Sequence, residues 1–185
     1  MSDIEIPQFI REIRKDMGFD PVEIYQQALK AIDTLSPDQY QGALIVTRER
    51  AQQDYQQGKL ELIPATKIFF SILHLSYAVN DYESQIITLS NLGLMFQNAR
   101  AYDVAIAFVT EAIKISYTHN LLELKLKALN VLSLVYTNTQ QHHRQTEVME
   151  EVAEIHGKLG QMDKKAEIEA LIKTKKDFMA LLGEK

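Results

Sequence analysis

The chain repeats itself at a fixed interval. Residues 89–98 read LSNLGLMFQN and residues 129–138 read LNVLSLVYTN, an offset of 40. Leu89 matches Leu129, Leu92 matches Leu132, Gly93 matches Ser133, Phe96 matches Tyr136 and Asn98 matches Asn138. The boundaries keep the same step: Asn80 is followed by Asn120 and then Gly160, and Gly58 stands 40 residues before Asn98. A unit of that size has room for a pair of helices and a turn. Alone, such a pair cannot bury both of its faces, so successive units must stack over a continuous core, with modified units at the ends.

Local signals agree with helices. The 7 glycines and 4 prolines are scarce and sit at boundaries. Asp20-Pro21-Val22-Glu23 and Ser36-Pro37-Asp38-Gln39 combine a capping side chain, proline at the first helical position and an acidic or amide residue that can close a capping box. Asn80-Asp81-Tyr82-Glu83 and Asn120-Leu121-Leu122-Glu123 read as two further cap-to-Glu starts. Pro64 is tolerable only near a helix start, which places one at about residue 61. Apolar residues recur at three and four, as in Ile86, Leu89, Leu92 and Phe96, and no strand-like alternation persists. The expected helices are 6–17, 21–34, 38–57, 61–79, 82–98, 101–118, 121–138, 143–158 and 163–182. Short connections imply antiparallel neighbours. The middle helices, 121–138 especially, are apolar over much of their circumference. The last helix carries Ile168, Leu171, Ile172, Met179 and Leu182 on one stripe, with Lys164, Lys165, Lys173, Lys175 and Lys176 facing solvent.

With those residues placed, the chain resembles the tetratricopeptide repeat family over roughly residues 40–160. Leu89, Leu92-Gly93 and Phe96 match the family's first-helix pattern, and Ala105, Val109 and Ala112 its second. Leu129, Leu132-Ser133 and Tyr136 repeat the first. Ala51, Tyr55, Gly58, Ala65, Phe69 and Ile72 fit more loosely, with about two extra residues in the turn. The family's tryptophan is leucine here, Tyr117 stands where a proline is expected, and the spacing is 40 rather than 34. The resemblance implies an all-α, right-handed α-solenoid of antiparallel helix pairs, about nine helices in one domain. Residues 1–40 would form N-terminal helices, 41–160 three repeat units and 161–185 a capping helix.

Composition limits the chemistry. Hydrophobic residues are 46% and charged residues 24%, the balance of a globular protein. A net charge of −5 provides no field toward nucleic acid, and the C-terminal lysines are interrupted by Glu167, Glu169 and Asp177. The 185 residues contain no cysteine, which removes disulfides and thiol chemistry together. Apolar stretches such as Ile68–Leu75 are too short to span a membrane. The start, Met-Ser-Asp-Ile-Glu, lacks the basic-then-apolar order of a secretory signal. A cytoplasmic protein is expected.

Catalytic motifs are missing, so the chain is expected not to be an enzyme and to need neither cofactor nor metal. His142 and His143 are adjacent, about 100° apart on a helix, a poor geometry for one metal ion. They read as a polar turn; His74, His119 and His156 read as isolated structural or surface residues. Glu147, Glu150, Glu151 and Glu154 read as a solvated acidic face.

The expected function is a protein- or peptide-binding module: adaptor, chaperone or regulatory scaffold. A purely structural oligomeric subunit is the alternative, and a helical enzyme with an unrecognised site is less favoured. In arrays of this family the first helix of each pair lines a concave groove. The implied partner-facing residues are Arg48, Gln52 and Gln56 in the first unit. They continue as Ser90, Asn91, Leu94 and Asn98 in the second, then Lys127, Asn130, Leu134 and Asn138 in the third. Some family members grip a peptide's terminal carboxylate at positions that fall here on Arg48, Gln52, Asn91, Lys127 and Val131. Val131 replaces a cation in that set. The implied partner is a protein or peptide with an acidic or C-terminal segment; neither nucleic acid nor a membrane is expected.

Overall fold

The computed structural model describes residues 6–13 and 19–181, apart from the side chains of Gln52 and Gln56. Among the described residues the regular structure is helical: α1 (Gln8–Glu12), α2 (Pro21–Ile32), α3 (Tyr40–Gln56), α4 (Leu62–Ala78), α5 (Tyr82–Asn98), α6 (Tyr102–Thr118), α7 (Leu122–Asn138), α8 (His142–Lys158) and α9 (Met162–Leu181). A 3-10 turn, Pro37–Gln39, precedes α3. None of these helices is long and apolar enough to cross a membrane.

The helices keep a beat of 20 residues. From α4 to α9 they begin at 62, 82, 102, 122, 142 and 162, and α4 to α8 are each 17 residues long. At each break one residue adopts positive φ: Asn80 (54°), Arg100 (60°), Asn120 (53°), Gln140 (56°) and Gly160 (72°). The amide two positions after the C-cap then bonds back five residues. Asp81 reaches Ser76 O, Ala101 reaches Phe96 O, Leu121 reaches Ser116 O, Gln141 reaches Tyr136 O and Gln161 reaches His156 O, at 2.8–2.9 Å. This 6→1 closure, with the accompanying 5→2 bond, satisfies carbonyls that a helix end leaves open.

Those closures correct the reading of two asparagines. Asn80 and Asn120 end α4 and α6 rather than starting the next helices. Asp81 caps α5, its carboxylate accepting from Ser84 N at 3.0 Å, whereas α7 starts at Leu121 without a side-chain cap. Asparagine suits both positions because its short amide tolerates left-handed backbone. Asp20 caps α2 as expected, accepting from Val22 N at 2.9 Å, and Gln39 closes back on Ser36 N at 2.9 Å. The first helix is shorter than expected: Ile13 is already extended (ψ 130°), and residues 14–18 of the expected 6–17 helix lie outside the described residues. Pro64 occupies the first turn of α4, where its missing N–H has no intrahelical role.

From α3 onward each helix packs on the next in sequence, and α5 also meets α7. The amino-terminal elements join one side of this array: α2 lies on α4, and α1 touches α2 and α6. Phe108 of α6 is the junction. Its ring lies 5.5 Å from Phe96 of α5, 6.0 Å from Phe70 of α4 and 6.0 Å from Phe9 of α1. Phe19 stacks on Phe96 at 5.4 Å, and Ile6, Ile10 and Ile13 are buried with this cluster.

The most enclosed helix is α5, not α7. Eleven of the 17 residues of α5 are buried against five of α7, because α5 has α4, α6 and α7 around it and the amino-terminal segment beside it. Gln85 of α5, 3% exposed, donates to Ser76 O of α4 at 3.1 Å, which explains how a buried amide is tolerated. The last helix also departs from expectation. Ile172 and Met179 are buried against α8, but Leu171 is 54% exposed and lies on a second stripe with exposed Phe178 and Leu181; Leu182 lies outside the described residues. The acidic row of α8 is not simply solvated: Glu151 pairs with Lys125 of α7, and Glu150 with Lys176 of α9 at 2.6 Å.

Gly93 of α5 packs directly against Ala105 and Val109 of α6. A Cβ there would collide with Val109 Cγ2 and lie 3.4 Å from Ala105 O. Overpacking costs about 1–3 kcal/mol, which exceeds the roughly 0.5–1 kcal/mol that alanine gains over glycine as a helix former. Gly93→Ala is therefore expected to lower the midpoint of thermal or urea unfolding. In a Val109→Ala background the same change is expected to be neutral or stabilising; an equal loss in both backgrounds would place the clash elsewhere. Arg100 tests the closures with the opposite sign. It is exposed and holds φ 60° with a side chain that prefers other backbone. Arg100→Gly is expected to raise stability by about 1 kcal/mol in urea unfolding.

Candidate functional site

Two surfaces draw polar side chains together. The first is the face shared by α3, α5 and α7. On α7, Lys127, Asn130, Leu134 and Asn138 are exposed at spacings of three, four and four, which keeps them on one face. On α5, Asn91 and Leu94 are half-buried and Asn98 is exposed. Leu94 and Leu134, and Asn98 and Asn138, stand 40 residues apart and so recur in equivalent places on adjoining helices. The result is an amide-rich strip with an aliphatic residue in each repeat.

The other expected partner-facing residues are placed less simply. Ser90 is buried, and its Oγ, like Gln97 Oε1, has no hydrogen-bond partner among the described residues. The face that the register assigned to Ser90 is turned inward because α7 lies against α5. Arg48 is half-buried and donates from Nη1 to Ser84 Oγ at 2.6 Å; that hydroxyl donates to Asp81 Oδ2 at 2.7 Å. Asn98 donates to Tyr55 Oη at 3.1 Å. Arg48 and Asn98 thus tie α3 to α5, although the guanidinium keeps further donors. The Gln52 and Gln56 side chains lie outside the described residues. Val131 is half-buried, and Lys127 has no hydrogen-bond or ion-pair partner among the described residues.

The second surface is a cleft of about 1,100 Å³ between the amino-terminal segment and α2, α4 and α6, with Tyr40 at the start of α3 on its edge. Tyr25, Tyr40, His74, Tyr77 and Glu111 line it. Tyr25 is almost fully buried, and its hydroxyl meets His74 Nδ1 at 3.4 Å. Burial pushes the Tyr25 phenol well above the usual tyrosine range. Tyr77 is pushed the same way, by burial first and then by the Glu111 carboxylate and Tyr25 beside it. Burial lowers His74 below the usual histidine value, so its neutral form is favoured.

Sequence reading missed this cleft. Its residues run from 6 to 114; His74 and Tyr77 share α4 at a spacing of three, but no spacing joins them to Tyr25, Tyr40 or Glu111. The one available signal was that α2 and α4 carry phenols and an imidazole among their apolar positions. Among the described residues, no group of three or more His, Asp or Glu side chains is arranged to hold a metal ion. No protein-family model, no curated protein and no solved structure matches this chain.

The lowered His74 pKa sets a direction for stability against pH. The unfolded imidazole takes up a proton near pH 6.5, and the folded one only at lower pH. The stability contributed by neutral His74 is present above that unfolded value and is lost as pH falls toward the folded one. Urea unfolding between pH 7.5 and 5 is expected to show this decline, with a smaller slope in His74→Gln. An unchanged slope would assign the pH dependence to other groups.

Proposed function

We propose that this chain is a protein- or peptide-binding module of tetratricopeptide-like design, with the α3/α5/α7 face as its docking surface. The observation that carries the reading is the strip on α7: exposed Lys127, Asn130, Leu134 and Asn138 on one face, continued on α5 by Leu94 and Asn98. Amides both donate and accept, so a row of them can follow the alternating groups of an extended backbone. Leu134, 40% exposed, offers an apolar contact between them, and Lys127 a cation with no partner among the described residues. That chemistry favours a segment with an acidic residue or a terminal carboxylate. Arg48 can contribute only as far as its bond to Ser84 allows, so a complete carboxylate grip is not part of the proposal.

A structural subunit is the second reading, and one observation favours it. The second stripe of α9 leaves Leu171, Phe178 and Leu181 54%, 59% and 85% exposed. Light scattering separates the two readings, because a subunit built on that stripe would assemble without a partner peptide.

The test of the main reading is an array of random peptides with free or amidated C-termini. Free, acidic termini are expected to be enriched. For any peptide retained, Lys127→Ala is expected to weaken binding by roughly tenfold and to flatten its salt dependence, as loss of one charge-assisted hydrogen bond of about 1.5–3 kcal/mol implies. Retained peptides that bind Lys127→Ala and Asn130→Ala as well as the parent would move the docking surface off this face.

A further inference from the structure

We propose that the cleft between the amino-terminal segment and α2, α4 and α6 binds a small organic cation, an ammonium group carried on an aryl or alkyl body. The cleft lies on the opposite set of helices from the α5/α7 strip, so the proposal stands apart from the docking reading.

The sign follows from which charge faces inward. Glu111 is 20% exposed, whereas its ion-pair partner Lys114, at 3.4 Å, is 72% exposed. The carboxylate therefore belongs to the cleft wall and the ammonium to its rim. The two are three residues apart on α6, and with Lys114 in solvent the pair is a weak one that an incoming ammonium can replace. Arg11 is likewise exposed, and its Nε is held by Ile6 O at 3.4 Å. The wall that holds Glu111 is aromatic: Tyr40 and Tyr77, and the almost fully buried Tyr25, whose hydroxyl meets His74. Phenol rings present electron-rich faces that attract a cation, and more so where water is displaced. Burial raises the Tyr25 and Tyr77 phenols and lowers His74, so these rings are neutral at pH 7.5, and of the charged side chains that line the cleft Arg11, Glu12 and Lys114 are exposed while Glu111 is the half-buried one. Ile6, Ile10 and Phe9 anchor the outer wall on α6, which gives the site a defined shape.

The test is calorimetry on the full chain at pH 7.5 with three probes of one shape: 2-phenylethylamine, 2-phenylethanol and 3-phenylpropionate. Saturable one-to-one binding of the amine is expected, with the alcohol and the acid at least tenfold weaker. Glu111→Gln is expected to weaken the amine at least tenfold. Tyr77→Phe, which keeps the ring, is expected to stay within about threefold. Lys114→Ala removes the competing rim cation and is expected to tighten the amine, a gain that damage to the fold would not produce. No saturable amine binding, acid or alcohol binding as tight as the amine, or an amine affinity unmoved by both Glu111→Gln and Lys114→Ala would overturn the assignment.

Discussion

The left-handed residue that closes each helix is the constraint on which the array depends. A 17-residue helix is about 25 Å long, and neighbours of unequal length would leave ends uncovered. The closures at 80, 100, 120, 140 and 160 stop each helix at the same length and reverse the chain within three residues. Two of these positions, Arg100 and Gln140, are neither glycine nor asparagine, which costs about 1 kcal/mol or more at each. The back-bonding amides offset that cost by pairing carbonyls that would otherwise face a neighbouring helix unsatisfied. A fixed beat also keeps the phase of the helices. Positions 40 apart then fall in equivalent places, as Ser76 and Ser116 do: both are buried, and each donates to the carbonyl three residues back at 2.7 Å.

Phe108 makes the two sides of the array different. Its contacts with Phe70 and Phe96 are internal to the repeats, but its contact with Phe9 belongs to a segment that does not repeat. Residues 6–13 and 19–32 therefore cover part of the α4 and α6 side and build a cleft there that the repeats do not share. The α5 and α7 side keeps a recurrent surface. A recurrent strip of amides suits a ligand that is itself periodic, an extended backbone. A unique cleft with one inward carboxylate suits a compact one.

Much of the helix series was legible from local chemistry. Pro21, Pro37, Pro64 and the 40-residue step located the helix boundaries, and the two extra residues after α3 appear as a five-residue connection, 57–61, where later ones have three. Asn80 and Asn120 were misread because a three-residue turn puts the end of one helix and the cap of the next one residue apart. Periodicity identifies an apolar stripe but not the number of neighbours. For that reason the apolar circumference of residues 121–138 did not make α7 the most enclosed helix, and Leu171 was assigned to the wrong stripe of α9. The candidate sites divide in the same way. The α7 strip follows from register within one helix. The inward turn of Ser90, the bonds of Arg48 and Asn98 to α3–α5 neighbours, and the cleft all depend on how separate helices meet.

The ties between α3 and α5 bear on how the proposed docking face would respond to a partner. Arg48, Ser84 and Asp81 form one chain of hydrogen bonds in which the helix cap of α5 is the last acceptor. A ligand carboxylate that drew Arg48 away would leave Ser84 bonded to Asp81, so the cap survives while α3 loosens. The net loss is one hydrogen bond of about 0.5–1.5 kcal/mol, within the range that a charge-assisted bond to the ligand can offset. Lys127 carries no such cost, since it has no partner among the described residues to give up. A ligand approaching this face therefore gains most from Lys127 first and from Arg48 only by rearrangement. On the proposed reading, occupancy at α7 and the coupling of α3 to α5 would be linked through the length of the bound segment.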